Sequence, residues 1–115
     1  MTFSEDELAL ALELKNRGLD WTPAVGHFVL DQNGLIERDS PFQPHVYFIL
    51  DMKHFLRRAD SIDELRRRLC WLPTWDQARE LLRSWGTSDD SVLEHLQATR
   101  AFEKQSERLE LYRLI

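Results

Sequence analysis

The sequence predicts an α+β domain, in which a three-stranded antiparallel sheet within about residues 27 to 50 packs against an N-terminal helix and several C-terminal helices. Three observations predict it. The β-prone residues are gathered in one stretch and do not alternate with helices, which argues against a doubly wound parallel sheet. Helix-start signals stand on both sides of that stretch: Ser4, Ser61 and Thr74 are each followed three residues later by Glu7, Glu64 and Gln77. This is the reciprocal pattern in which each side chain satisfies the other residue's orphan backbone N–H. A chain of 115 residues also suits a single domain, 1–115, around one core.

Taken in order, the first helix is predicted from about Glu5 to Arg17. Ser4 is its N-cap, Phe3 and Leu8 are spaced as a hydrophobic staple, Glu5, Asp6 and Glu7 suit the positive end of the dipole, and Gly18 suits a left-handed C-terminal position. Leu8, Ala11 and Leu12, with Leu10 and Leu14 beside them, give it a wide apolar face. Residues 27 to 37 read as a hairpin around Asp31-Gln32-Asn33-Gly34. Of the two available turns, a three-residue loop with Gly34 in a left-handed bulge sets Leu30 opposite Ile36 and gathers Phe28, Leu30 and Ile36 on one face.

The loop Asp39-Ser40-Pro41-Phe42-Gln43-Pro44 follows, held open by its two prolines. His45 to Leu50 is then apolar at nearly every position, the pattern of a strand covered on both faces and so the expected centre of the sheet. Met52, Phe55, Leu56 and Ala59 fall on one face of a short helix; Ile62, Leu65 and Leu69 do so on the next. Pro73 interrupts. Thr74 caps a helix carrying Trp75, Ala78, Leu81, Leu82 and Trp85, which Gly86 stops, and Thr87 or Ser88 opens the last long helix with Val92, Leu93 and Leu96 inward. The tail from Arg108 to Ile115 reads as helix, although Leu109, Leu111 and Ile115 alternate as in a strand.

With 43% apolar and 30% charged residues the chain has the composition of a globular protein, and no stretch approaches the ~20 apolar residues of a membrane helix. The start Met1-Thr2-Phe3-Ser4-Glu5-Asp6-Glu7 is acidic where a secretory signal is basic, so a cytoplasmic protein is expected. The net charge of −5 is uneven: residues 1 to 51 carry −6, residues 52 to 68 carry +3, and residues 69 to 115 carry −2. An acidic whole argues against nonspecific binding to nucleic acid.

Three constellations invite a functional reading. His27, His45, His54 and His95 lack ligand spacing, and His45 stands ~20 Å from the Asp51 and His54 end of its strand at ~3.3 Å per residue. A small enzyme site near Asp51, His54 and Cys70 therefore needs the fold to bring Cys70 in. Cys70, the one cysteine, beside Trp71 and Leu72, reads more simply as a buried hydrophobe than as a reactive thiol. No catalytic residue, cofactor or metal is assigned. The basic segment Lys53, Arg57, Arg58, Arg66, Arg67 and Arg68 could follow a nucleic-acid backbone, but consecutive arginines on a helix fan over about 200°, and Asp60, Asp63 and Glu64 offer ion pairs.

The tryptophans are the third constellation. Trp71, Trp75 and Trp85 bracket Pro73 and its helix; they read first as core, and second as an aromatic interaction surface around Trp71 to Trp85. The functional expectation is a small protein-interaction or regulatory module, with a protein partner or self-association as a homodimer. The alternatives are nucleic-acid association through Lys53 to Arg68 and the small enzyme.

Overall fold

In the computed structural model, which describes residues 2–115, seven helices and a three-stranded antiparallel sheet are formed among the described residues, and the class is α+β. By its contacts the chain divides into two compact units, one ending at Leu72 and the other spanning Pro73–Ile115. No helix of the described residues is long and apolar enough to cross a membrane.

The first unit starts with α1 (Glu5–Asn16). Its capping box is complete: Ser4 Oγ accepts the Glu7 N–H at 3.1 Å and the Glu7 carboxylate accepts the Ser4 N–H at 3.0 Å. That role buries Glu7, so the inward stripe is Glu7, Ala11 and Leu14, while Leu8, Leu10 and Leu12 are less covered than their spacing suggests. At the other end Gly18, with φ +90°, donates to Lys15 O and Leu19 donates to Leu14 O, a Schellman closure that ties off two orphan carbonyls.

The sheet is built from β1 (Phe28–Leu30), β2 (Val46–Phe48) and β3 (Cys70–Leu72) in the order β2-β1-β3. The central strand is therefore β1, and the segment from His45 to Leu50 forms an edge, with Leu50 76% exposed. The hairpin expected over residues 27 to 37 does not form. Gly34 does take a positive φ, +69°, yet the chain after it never pairs with β1. The buried Asp31 carboxylate takes the backbone N–H groups of Leu35 and Ile36 at 3.0 and 2.8 Å, a local alternative to strand pairing. Beyond Ile36 the sequence Glu37-Arg38-Asp39 is poor strand material, whereas Val46-Tyr47-Phe48 and Cys70-Trp71-Leu72 offer apolar partners on both edges of β1.

Cross-strand partners share a face. Phe28 stands opposite Phe48 and Leu72, and Leu30 opposite Val46 and Cys70, so these six form one face, on which Phe3 packs edge-on against Phe28 at 5.6 Å. Helix α1 lies against β3. Val29, Tyr47 and Trp71 form the other face, where the core cluster continues through Ile36, Ile49 and Phe55 to Leu65 and Leu69. Ile36 thus ends on the face opposite Phe28 and Leu30. Helices α2 (Met52–Leu56) and α3 (Ile62–Arg68) cover this side. At α3 the capping pattern is only half used: Ser61 accepts the Glu64 N–H, but the Glu64 carboxylate turns to the Arg67 guanidinium at 2.6 Å. Ile62 is left exposed.

The second unit contains α4 (Trp75–Ser84), α5 (Asp89–Ala98), α6 (Ala101–Lys104) and α7 (Glu107–Leu114), with α4 and α5 both packed on α7. Thr74 and Gln77 complete the second capping box, and Gly86, with φ +89°, closes α4 by a second Schellman pattern through Arg83 O and Leu82 O. Ala78, Leu82, Val92, Leu96 and Leu111 are buried, and Tyr112, with no exposed surface, donates its hydroxyl to Pro73 O. The buried Arg79 guanidinium meets the Asp89 carboxylate at the start of α5, and Arg83 donates to the same carboxylate at 3.0 Å. The tail is helical, as Glu107–Leu114. Leu93, expected inward, is exposed, and Phe102 is exposed on α6.

Candidate functional site

The tryptophans separate into two kinds. Trp71, in β3, stacks on the buried Trp21 with ring centroids 6.0 Å apart and planes 9° from parallel, and lies 5.2 Å from the His27 ring. The His27 imidazole is accordingly pulled below its ordinary pKa by burial. Trp71 is thus a partly buried residue packed against the core of the first unit. Trp75 and Trp85 belong to the second unit and are 41% and 53% exposed, which corrects the expectation that both are core. The helical spacing is as read, about 80° apart around the axis, but Trp75 is the first residue of α4 and Trp85 its C-cap. Each indole therefore overhangs one end of the buried stripe made by Ala78 and Leu82, roughly 15 Å apart along the axis.

A concavity with both apolar walls and polar groups lies in the first unit, where the two-proline loop passes the edge strand β2. Ser40 Oγ donates to Val46 O, Val46 N–H donates to Gln43 O at 3.1 Å, and Gln43 clasps the Phe3 backbone through both its amide atoms. His45 takes a left-handed φ of +68° to turn the chain into β2. So held, the loop encloses with β2 and the start of α2 a cleft of about 410 Å³. Ile36, Phe42, Phe48, Leu50 and Phe55 give it apolar walls. The Phe28 ring, 5.5 Å from Phe42 and 4.7 Å from Phe48, positions two of them from behind.

Polar groups converge on the same cleft: Arg38, Asp39, Tyr47, Asp51 and His54. The Arg38 guanidinium stands 3.3 Å from His54 Nε2, and the Tyr47 hydroxyl donates to Arg38 O, fixing the backbone that carries the guanidinium. Burial, with Asp31 and Asp39 nearby, raises the Tyr47 pKa above its ordinary value. Asp51 spends a carboxylate oxygen as N-cap of α2, accepting the Lys53 N–H at 2.9 Å. Asp51 and His54 thus share one cleft, but Cys70 does not line it. Cys70 is buried, with its thiol pushed up to about 11 by burial, and carries no nucleophile's environment. No group of three or more His, Cys, Asp or Glu side chains among the described residues is placed to hold a metal ion.

Half of the basic segment is engaged in ion pairs. Arg66 pairs with Asp20 at 3.1 Å, Arg67 with Glu64, and Arg58 approaches Glu37 at 3.9 Å. Lys53 and Arg57 are exposed, and Arg68 is half-buried. The Arg67 hydrogen bond holds the Glu64 carboxyl below its usual range. A second cleft of about 490 Å³ has Lys15, Arg66 and Arg67 on its wall, but Lys15 Nζ is occupied by Arg67 O at 2.8 Å and Asp63 faces the same space.

Composition and spacing signalled the loop but not the cleft. Arg38, Asp39 and Phe42 bear no motif; the two prolines that stiffen the segment are the only sequence sign that it could form a wall. Comparison with protein-family models, with curated proteins and with solved structures gives no match.

Proposed function

We propose that the protein is a small cytoplasmic interaction module whose contact surface is the tryptophan-bearing helix α4, and that its partner is a second copy of the same chain. The exposure of Trp75 and Trp85 carries this reading. An indole side chain of ~250 Å² that is about half exposed leaves ~100 Å² of apolar surface in water, worth ~2.5 kcal/mol on burial. Tryptophan is also the residue type most enriched among interface anchors. Because the two indoles stand at opposite ends of one helix, a two-fold axis across α4 sets the Trp75 end of one copy against the Trp85 end of the other.

Sedimentation equilibrium over a hundredfold concentration range tests it. Dimerisation that weakens at least tenfold in Trp75→Ala and in Trp85→Ala is the expected result, with circular dichroism reporting unchanged helix content. A monomer throughout, or a dimer indifferent to both substitutions, would overturn the proposal. Pairing of Arg58, Arg66 and Arg67 with Glu37, Asp20 and Glu64 reduces the charge that the basic segment offers a nucleic acid, which favours this reading.

A further inference from the structure

We infer that the cleft beside β2 binds a small organic carboxylate with an aromatic or alkyl body, its carboxylate held by the Arg38 guanidinium, which His54 orients. This site is independent of the α4 surface. Its volume of about 410 Å³ falls in the range of small-molecule sites, which are largely apolar with a few convergent polar groups. Phe55 is buried at the cleft, while Phe42 and Leu50 are exposed, so apolar side chains border a concavity with nothing laid across them. Phe42 and Phe48, both packed against the Phe28 ring, offer an apolar body two aromatic contacts at the cleft wall.

The head-group chemistry follows from Arg38 and His54. A guanidinium has donors only, so in this 3.3 Å contact Arg38 donates and His54 Nε2 accepts, and the remainder of the planar fork is a ready partner for two carboxylate oxygens. Tyr47 holds the Arg38 backbone, which reduces the ordering cost of binding. Two acids line the same cleft. Asp51 gives one oxygen to the Lys53 N–H as a helix cap and keeps the other, so both it and Asp39, the sequence neighbour of Arg38, compete for the guanidinium. If the ligand were instead a cation, these two carboxylates would anchor it, and the two cases respond oppositely to the loss of the Asp39 charge.

The test is titration of the full chain with 3-phenylpropionate, followed by amide NMR shifts and calorimetry, with 3-phenylpropanamide and 3-phenylpropylamine as probes of equal body and different charge. Saturable shifts confined to residues 36–55 are expected with the acid. Affinity should fall at least tenfold for the amide and in Arg38→Gln, and rise severalfold in Asp39→Asn. The inference is overturned if the amine binds more tightly than the acid, if Arg38→Gln leaves the acid's affinity unchanged, if the shifts map to Lys15, Arg66 and Arg67, or if none of the probes saturates. Since Arg38 and Asp39 are exposed, neither variant threatens folding, and an unchanged amide spectrum outside the loop confirms that for each.

Discussion

Replacing Asp31 by Asn tests the contact that displaced the expected hairpin. Asp31 is 1% exposed, and its two carboxylate oxygens accept the N–H groups of Leu35 and Ile36 at 3.0 and 2.8 Å. Asparagine keeps one acceptor and turns an NH₂ toward the other donor, so one hydrogen bond to a charged group is lost and a buried N–H is left without a partner. A bond of that kind contributes ~1.5–3 kcal/mol, and the exchange should cost about 2–3 kcal/mol. Asp31→Ala removes both acceptors and should cost more. With a urea dependence of ~1–2 kcal/mol/M, the Asn variant's midpoint should fall by about 1–3 M at an unchanged slope. Trp21 and Trp71, both in the first unit, supply the fluorescence signal for its unfolding. The matched variant at exposed Asp39, Asp39→Asn, should leave the midpoint where it was. If Asp31→Asn does the same, the carboxylate does not hold the 31–36 turn and the account of why no hairpin forms is wrong.

Two further outcomes follow from single residues. The Cys70 thiol, raised from 9.0 to about 11, keeps its proton in the folded chain after the unfolded chain has lost it. Its contribution to stability is therefore intact below pH 9 and is lost as the pH rises to 11, by about 2–3 kcal/mol in total, a fall that Cys70→Ala should lack when the two proteins' urea midpoints are compared across that range. Gly34 sits at φ +69° with open space where a Cβ would be, so Gly34→Val meets backbone strain without a clash and should lose ~1–2 kcal/mol by thermal denaturation, whereas Gly34→Asn should lose less.

Where the folded structure agreed with the sequence, the cause was local. Ser4, Thr74 and Ser88 cap helices because a side-chain oxygen three residues before a free N–H needs no distant partner, and Gly18 and Gly86 close α1 and α4 because a left-handed residue without a Cβ does so at little steric cost. Where it disagreed, a competing partner had intervened, either a near neighbour or a distant strand edge. Ser61 looked like its counterparts, but Arg67 claimed the Glu64 carboxylate. Cys70-Trp71-Leu72, too short for any periodicity to register, became a strand because β1 had an open edge for it.

The amino-acid sequence by itself determined the class, the capped starts of α1, α4 and α5 and the glycine stops of α1 and α4, since propensity, capping and glycine conformation act within a few residues of chain. Only the tertiary structure decided which strand is central, which tryptophans meet water and which polar groups converge. Trp71 and Trp75 are four residues apart in sequences of similar character, and one stacks on Trp21 while the other overhangs a helix end. Arg38, Phe48 and His54 likewise share a cleft only because β2 pairs with β1 and the loop from Asp39 to Pro44 folds along its edge. Burial is a property of what lies on the other side of a side chain. That neighbour comes from elsewhere in the chain, so local spacing does not encode it.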